Sequence, residues 1–501
     1  FEPLTLEDVL NVIEKLNGKP LDDGAGGHVH GVIVQFGGQT PLNLAHGLAA
    51  AGAPIIGTSL DSIDLAEDRE RFRDLLERLN LHQPPSGIAY ALDQAVEIAE
   101  RLTYPVLVRP SYVLGGRGME ICPDERAMRQ YMARAVDVSE LANAPVLIDK
   151  FLDEATEVDV DVIADFDPES PVDSPKQKGR RALVCGLMEH IQQAGIHSGD
   201  SSCTIPPRSL SFLLRERIRE TARLLARELR VCGLMYVQMA VKDEEIYILE
   251  VNPRASRTAP FVSKAKGVAW PSLAAKAMMG RSLEELGASE RPDTGYYAVK
   301  ESVFPFDKFP GVDVVLGPEM RSTGEVMGVD ASLPIALAKA EMAAGQTLPM
   351  EGGVFLSVRD ADKNHIVDAA RTLVSMGFRV YATGGTAAHL ARHSVKTQAL
   401  KKIAEGARPN VLDMLKNGEI RLVINTPTRT GWATDEGKIR AMAVRLGIPM
   451  ITTATGAQAM VAAIQALRAG DWSPVALQDY AELSLQASPV TVTTSRTPAG
   501  A

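Results

Sequence analysis

Glu250 and Asn252 stand two residues apart at the end of the apolar run Ile246-Tyr247-Ile248-Leu249, and Arg254 and Arg257 follow closely. Side chains alternate along an extended strand, so the carboxylate and the amide share one face. Their oxygens are hard ligands of the kind Mg²⁺ takes beside phosphate oxygens, and guanidinium groups hold anionic oxygen well. Gln238, near the end of the preceding apolar segment 234–241, can bring a third oxygen from an adjacent strand, and Pro253 stops the strand directly after the polar pair. An isolated acid-x-amide is more often a solvated salt-bridge cluster. Three converging oxygen-bearing side chains next to two arginines point instead to phosphoryl transfer from a nucleotide.

The elements that must position these residues alternate between strand and helix. Residues 6–16 read as a helix and 31–36 as a strand. Gly37-Gly38-Gln39 reads as a tight turn, Thr40 as an N-cap with Pro41 at the first helical position, and 54–56 as the next strand. This βαβ unit starts too late in the chain to form a complete sheet, and an N-terminal truncation is expected. Residues 304–328 are rich in Gly and Pro and read as a connector. Strands at 353–358, 378–382, 421–425 and 450–453, separated by helices, predict a doubly wound parallel domain. The division expected is a partial Rossmann-like segment at 1–63, a mixed α/β domain at 64–287, a connector at 288–351, a doubly wound domain at 352–486 and a disordered tail at 487–501.

At 501 residues the chain is too long for one core. A net charge of −10 and a pI near 5.5 argue against nucleic-acid or anionic-membrane partners. No apolar run is long enough to span a bilayer, and no signal peptide opens the chain, so cytoplasm is the expected location. Cys122, Cys185, Cys203 and Cys232 lack zinc or redox spacing and are expected to be reduced, buried thiols.

Seven motifs in combination give the chain its resemblance to the C-terminal half of the large subunit of carbamoyl-phosphate synthase. They are Gly31-Val-Ile-Val-Gln-Phe-Gly-Gly-Gln-Thr-Pro41, Ala66-Glu-Asp-Arg69, Arg109-Pro-Ser-Tyr-Val-Leu-Gly-Gly116, Met188-Glu-His190, Gly195-Ile-His-Ser-Gly-Asp-Ser201, Glu250-Val-Asn-Pro-Arg254 and Gly317-Pro-Glu-Met-Arg-Ser-Thr-Gly-Glu325. The resemblance runs from Phe1 to about Leu467. It implies a pre-ATP-grasp segment, an ATP-grasp middle domain and a methylglyoxal-synthase-like regulatory domain. It also implies ATP as substrate, carbamate as acceptor, two Mg²⁺ or Mn²⁺ ions on Gln238, Glu250 and Asn252, and K⁺ as a further candidate cation.

Position by position, the resemblance implies that Arg69 and Arg109 hold ATP phosphates and that Gly115 and Gly116 belong to a mobile loop over them. Lys150, Leu152 and Glu157 match the adenosine-binding segment, with Glu157 accepting from a ribose hydroxyl. Gly195, Ile196, His197 and Ser198 match a loop beside the nucleotide, with His197 a positioning residue. Arg254 and Arg257 would stabilise the transferring phosphoryl group, with Glu250 and Asn252 as catalytic metal ligands.

In the last domain, Thr383-Gly-Gly-Thr386 lies between a strand and a helix, where a phosphate can bind. Ser357, Lys363, Lys402, Asn425 and Thr426 match further effector positions, implying a nucleotide effector. Thr428-Arg429-Thr430-Gly431 departs from the Gly-Arg-Arg run often found in the family and leaves the effector open. Gln192 stands where ornithine-regulated relatives carry Glu, although Asp200 and Glu301 of that site are present.

The resemblance implies that the half phosphorylating bicarbonate lies outside this chain, as does the glutaminase small subunit. The whole family member is expected to be oligomeric and to serve arginine and pyrimidine biosynthesis. Three readings stand: the carbamate-phosphorylating half, another ATP-grasp carboxylate-amine ligase such as a biotin-dependent carboxylase component, and a truncated nucleotide-binding chain without turnover.

Overall fold

The computed structural model describes residues 1–21, 27–110, 116, 118–138 (backbone only for 135–138), 145–293, 295–309, 313–406, 408–428, 431, 434–470 and 472–480. Gly115, Arg429, Thr430 and the tail at 487–501 lie outside the described residues.

The first helix, Leu6–Asn17, is capped by the Thr5 hydroxyl, which accepts from the Asp8 N–H. Ile13 packs with Val34, Leu42, Leu48 and Ile63 in a small core. The two strands expected at 31–36 and 54–56 shrink to a single parallel bridge, Val32 to Ile55. Among the described residues no third strand extends the ladder, and so short a pair cannot sustain one. The helix between them, Gln39–Ala50, starts earlier than expected, with Gly38 rather than Thr40 as N-cap. Pro41 is tolerated inside its first turn because N–H groups there have no intrahelical acceptor.

Strands β1 (Ser86–Ala89), β2 (Val106–Pro110), β3 (Glu120–Cys122) and β4 (Val146–Lys150) form an antiparallel sheet in the order β1-β4-β2-β3. Helices Leu92–Leu102 and Glu125–Val138 cover it through Ala95, Ala99 and Met128.

The central sheet comprises β5 (Thr156–Asp165), β6 (Ala182–His190), β7 (Cys203–Ile205), β8 (Cys232–Lys242), β9 (Glu245–Asn252), β10 (Tyr297–Val303) and β11 (Gly324–Asp330). All pairs are antiparallel, in the order β11-β10-β7-β6-β5-β8-β9. Val158, Val160 and Val162 of β5 face helix Phe212–Glu228 in one core. Ile163 lies in a second core with helices Ala259–Lys266 and Trp270–Met278.

Residues 288–351 are not a free-standing connector. β10 and β11 belong to the central sheet, and helix Leu333–Ala343 joins Val299 of β10 to the next domain in one continuous core. Gly328 allows this packing, because a Cβ there would lie 2.1 Å from the Ala336 carbonyl oxygen.

The C-terminal sheet agrees with the expected parallel strands. β12 (Gly353–Val358), β13 (Arg379–Thr383), β14 (Gln398–Leu400), β15 (Ile420–Thr426) and β16 (Met450–Ile451) run parallel in the order β14-β13-β12-β15-β16. Helices Val367–Ser375 and Ala454–Ala469 cover one face, and Val411–Lys416 and Asp435–Arg445 the other. The four cysteines are buried free thiols.

Arg440 is completely buried, and its Nη2 and Nε meet the Asp313 carboxylate at 2.6 and 2.7 Å. Burial alone would raise the Asp313 carboxyl, but hydrogen bonds from Arg440 and the Gly431 N–H outweigh it and hold it below the ordinary range. Arg440 Nη1 also lies 4.0 Å from Glu436, so removing Asp313 takes away the nearer of two carboxylates, and breaking a buried pair costs up to about 3–5 kcal/mol. Asp313→Ala is therefore expected to destabilise the C-terminal sheet by up to roughly that amount, with Asp313→Asn milder. Faster amide hydrogen exchange in β12 and β15 checks this, and wild-type exchange in both variants would contradict it.

Candidate functional site

The site is built on alternate residues of β5. Glu157, Asp159 and Asp161 are all buried, opposite the face that Val158, Val160 and Val162 present to the core. Buried carboxylates need partners, and each one holds a different piece of the site.

Glu157 accepts from the Gly195 N–H and from Gln238 Nε2, both at 3.0 Å, and lies 3.5 Å from His190 Nδ1. Burial raises its carboxyl, an effect the neighbouring His190 opposes. With both oxygens engaged inside the protein, Glu157 anchors the Gly195 turn. Each of these oxygens keeps further acceptor capacity, so the expected ribose hydroxyl can still be received there. Gly195 has φ +103° and would clash through a Cβ with Ile121 and Phe151, both 2.9 Å away, so only glycine fits there.

Asp159 accepts from the Tyr236 hydroxyl at 2.8 Å and pairs with His190 Nε2 at 3.1 Å. Burial would raise the Asp159 carboxyl, but His190 and Tyr236 outweigh it and lower it. Asp161 accepts from the hydroxyls of Ser256 and Thr258, at 2.6 and 2.7 Å, and so fixes the turn that carries Arg257.

Across the sheet, Gln238 of β8 faces Glu250 of β9, and Tyr236 faces Asn252. A register shift at Gln238/Met239 leaves Leu249 as an extra residue. Ile246, Ile248 and Val251 consequently all reach the same core. Without that bulge Glu250 would point into the core, because alternation would carry it onto the face of Ile246 and Ile248. With it, Glu250 is exposed and Asn252 half-buried, and Asn252 Nδ2 donates to Glu250 Oε1.

Gln238 and Asn252 thus direct their N–H groups at carboxylates, which leaves their carbonyl oxygens available. With Glu250 they make an oxygen donor set that fits a hard divalent cation. Past the strand, the Arg254 N–H returns to the Asn252 carbonyl at 2.7 Å, and Arg254 Nε is buried with no hydrogen-bond partner among the described residues. Arg257 Nε lies 3.4 Å from Glu325, and its Nη1 2.8 Å from Met320 Sδ.

The loop at 195–201 closes the other side. The His197 N–H donates to the Gly317 carbonyl at 2.8 Å, and His197 Nδ1 accepts from the Gly199 N–H at 3.0 Å. Burial lowers the His197 imidazole and favours the neutral ring. Ile196 is buried, and the Ser198 carbonyl accepts from Lys300 at 3.0 Å. Gly116 lies against Pro318.

Further out, Arg109 pairs with Asp149 at 2.9 Å, and Lys150 donates to the Thr103 carbonyl at 2.8 Å. Burial lowers the Lys150 ammonium. Leu152 is half-buried. Arg69 is exposed at the start of helix Arg69–Arg78, whose Phe72, Leu75 and Leu76 pack on the sheet face opposite the carboxylates.

Gln192 and Glu301 meet through Ser202: the Ser202 hydroxyl donates to Glu301 at 2.5 Å and accepts from Gln192 Nε2 at 2.8 Å. Asp200 accepts from the N–H groups of Arg321 and Ser322, both at 2.8 Å. In the C-terminal domain, Thr383 stands at the N-cap position of helix Gly384–Arg392 without a side-chain capping bond, and Lys363 Nζ sits beside Gly385 while pairing with Asp360 at 2.5 Å. Lys402 is exposed.

Thr386 keeps its hydroxyl proton for an acceptor, because its oxygen is the acceptor in both of its hydrogen bonds. Its hydroxyl is buried and accepts from the Val358 N–H at 3.3 Å and from Thr383 at 3.2 Å. Asn425 donates to the Ser357 carbonyl and accepts from Arg440, both at 2.8 Å, and Thr426 accepts from the Arg359 N–H at 3.0 Å. These residues shape the floor of the region.

Sequence reasoning overlooked Asp159, Asp161 and Tyr236. The signal was present in Glu157-Val-Asp159-Val-Asp161, where acids alternate with valines. Among the described residues, Asp159, His190 and Cys203 are the only group of three or more His, Cys, Asp or Glu whose ligand atoms all lie within 4.8 Å of one another.

A four-stranded and a seven-stranded antiparallel sheet, with the oxygen set at the edge of the larger one, define an ATP-grasp architecture. The biotin carboxylase domain dimer of 2-oxoglutarate carboxylase from Hydrogenobacter thermophilus, solved with MgADP, ADP and bicarbonate, shares the fold. It superposes with a TM-score of 0.50 at 18% identity, over 68% of this chain and 78% of that one. Three family models match in chain order. The carbamoyl phosphate synthase preATP-grasp domain covers residues 1–65, the ATP binding domain of the carbamoyl-phosphate synthase L chain covers 68–286, and an MGS-like domain covers 365–452.

The carbamoyl phosphate synthase large chain of Archaeoglobus fulgidus is 50% identical over 97% of this chain and 43% of its own length. That of Rhodopirellula baltica is 51% identical over 93% and 41%. The chain belongs to the carbamoyl-phosphate synthase large-chain family, and it spans less than half the length of these relatives. No helix among the described residues is long and apolar enough to cross a membrane.

Burial raises the Asp161 carboxyl to about 7, against the opposing hydrogen bonds of Ser256 and Thr258. The folded state therefore holds a proton that the unfolded chain releases near pH 4. The contribution of this group is fully present below that pH and declines as pH rises towards about 7. Asp161→Asn should gain stability relative to wild type across this window, as read by urea midpoints at several pH values. A constant difference between the two proteins would contradict it.

Proposed function

We propose that this chain phosphorylates carbamate with ATP to give carbamoyl phosphate and ADP, as the C-terminal half of a carbamoyl-phosphate synthase large subunit. The observation that carries the reading is the Gln238, Glu250 and Asn252 oxygen set beside Arg254, whose buried Nε has no hydrogen-bond partner among the described residues. Membership of the family and the MgADP bound to the fold neighbour from Hydrogenobacter support ATP and Mg²⁺. Gln238, Glu250 and Asn252 would hold one or two Mg²⁺ or Mn²⁺ ions, which when bound neutralise phosphate charge.

A carbamate carboxylate oxygen forms the new bond to the γ-phosphorus while the bond to the β,γ-bridging oxygen breaks and ADP leaves. No protein nucleophile is needed. Arg254 and Arg257 donate to the equatorial oxygens as charge spreads over them, with Arg69 and Arg109 on the remaining phosphates. The neutral His197 ring fixes the loop through Gly199 and Gly317. Lys150 and Leu152 border the adenosine end, and Glu157 acts from beneath by holding Gly195. A glutaminase subunit and the bicarbonate-activating half would supply carbamate in a cytoplasmic assembly serving arginine and pyrimidine biosynthesis.

The full chain should make ATP from MgADP and carbamoyl phosphate. Glu250→Ala should lower that rate by about two to three orders of magnitude, because the loss of a metal-ligating carboxylate costs several kcal/mol of charge stabilisation. Retained activity in this variant would refute the assignment of the metal set.

The C-terminal domain is proposed to bind a nucleoside monophosphate as effector, with the phosphate at the start of helix Gly384–Arg392 beside Thr383 and Lys363. Gln192, an amide already engaged by Ser201 and Ser202, makes ornithine a weak effector at the Glu301 site. Lys363→Ala should weaken uridine or inosine monophosphate binding to the full chain about tenfold, as measured by calorimetry. Unchanged affinity would remove Lys363 from the pocket.

A further inference from the structure

Gln35 is completely buried, and its side chain reaches outside its own segment. Its Nε2 donates to the Pro253 carbonyl at 2.6 Å and to the Thr58 hydroxyl at 3.1 Å, and its Oε1 accepts from the Thr58 N–H at 3.0 Å. Its backbone carbonyl accepts from the Ala255 N–H at 3.0 Å. One residue of the N-terminal segment thus holds the carbonyl before Arg254 and the amide after it. A primary amide can donate to a carbonyl and accept from an N–H at once, and neither an apolar side chain nor a carboxylate can do both.

The turn so held carries Asn252 at its start and Arg254 at its centre. Arg254 Nε is a buried donor without a hydrogen-bond partner among the described residues, as expected of a group aimed at an anionic ligand. Asp161 restrains the far end of the turn through Ser256 and Thr258.

We propose that Gln35 is a positioning residue for the phosphoryl-transfer site, acting from the N-terminal segment through the Pro253 carbonyl to aim Arg254 at the γ-phosphate. This rests on the reading of Arg254 as a phosphate ligand. It makes the N-terminal segment part of the active site through a residue that acts on Arg254 rather than on ATP.

The test compares the affinities of the full chain for MgATP and MgADP by calorimetry, since only the γ-phosphate separates them. Gln35→Met should lower the preference for MgATP about tenfold, as should Arg254→Ala, the size of one lost charge-assisted hydrogen bond. The double variant should lose no more than the larger single, because both act through one guanidinium. Thr58→Val perturbs the same buried network but leaves the Pro253 carbonyl its donor. It should lower the melting temperature while keeping the wild-type preference.

A wild-type ratio in Gln35→Met, additive losses in the double variant, or an equal loss in Thr58→Val would overturn the proposal. Should Gln35→Met not fold, Gln35→Glu, which sets a carboxylate against the same carbonyl, must show the loss. If the wild type binds both nucleotides but makes no ATP from carbamoyl phosphate, the carbamate reading fails, and the affinity ratios still decide the role of Gln35.

Discussion

The need to satisfy three carboxylates buried on one face of β5 organises the rest of this molecule. A carboxyl group removed from water is tolerated only when hydrogen-bonded, and when charged it needs a partner of opposite sign. Glu157, Asp159 and Asp161 meet that need with different partners: Gly195 and Gln238, then His190 and Tyr236, then Ser256 and Thr258. Each partner lies beside a residue assigned to chemistry. The Gly195 turn leads to His197, Gln238 faces Glu250, Tyr236 faces Asn252, and the Ser256 turn carries Arg257. The valines between these carboxylates fix β5 to the core, so the polar column cannot rotate without exposing Val158, Val160 and Val162. Packing on one face thereby sets geometry on the other.

The segment from Asp313 to Glu325 extends this order to the C-terminal domain. At one end Asp313 is held by the buried Arg440, which also fixes Asn425 in the floor of the proposed effector region. Further along, the Gly317 carbonyl receives the His197 N–H, Met320 touches Arg257, and the amides of Arg321 and Ser322 hold Asp200. The proposed effector region and the proposed ATP site are therefore linked through one segment that is hydrogen-bonded at both of its ends. Contiguity alone is not coupling, which requires an element with two arrangements that both ligands bias. The rigid Asp313 anchor makes the 317–322 stretch the part in which such a change would reach His197 and Arg257 together.

Local patterns made some of this legible in the sequence. The parallel strands of the C-terminal domain were marked by apolar runs between helices. The pairing of Glu250 with Asn252 followed from spacing, and Pro253 ended β9 where expected. Non-local facts were not legible. The Gly- and Pro-rich composition of 304–328 described the loop before β11 but hid that β11 pairs with β10, a pairing decided by register across the sheet. The placement of Pro41 suggested a helix start that the structure moves forward to Gln39, since several first-turn positions accept proline. Thr386 had the right type for a phosphate donor, but the sequence did not show that its oxygen also accepts from the Val358 N–H.

The bulge at Leu249 shows most clearly where spacing stops being sufficient. Residues two apart share a face in any regular strand, so Glu250-x-Asn252 correctly predicts that these two side chains lie together. It does not say which face. Strict alternation from Ile246 and Ile248 would send Glu250 into the core formed with Val158 and Leu225, where an unpaired carboxylate could not remain charged. One extra residue reverses the phase, returns Val251 to that core and turns Glu250 outward beside Gln238. The chemical identity of the ligands is thus local information, whereas their accessibility depends on a defect in the ladder that only pairing with β8 defines.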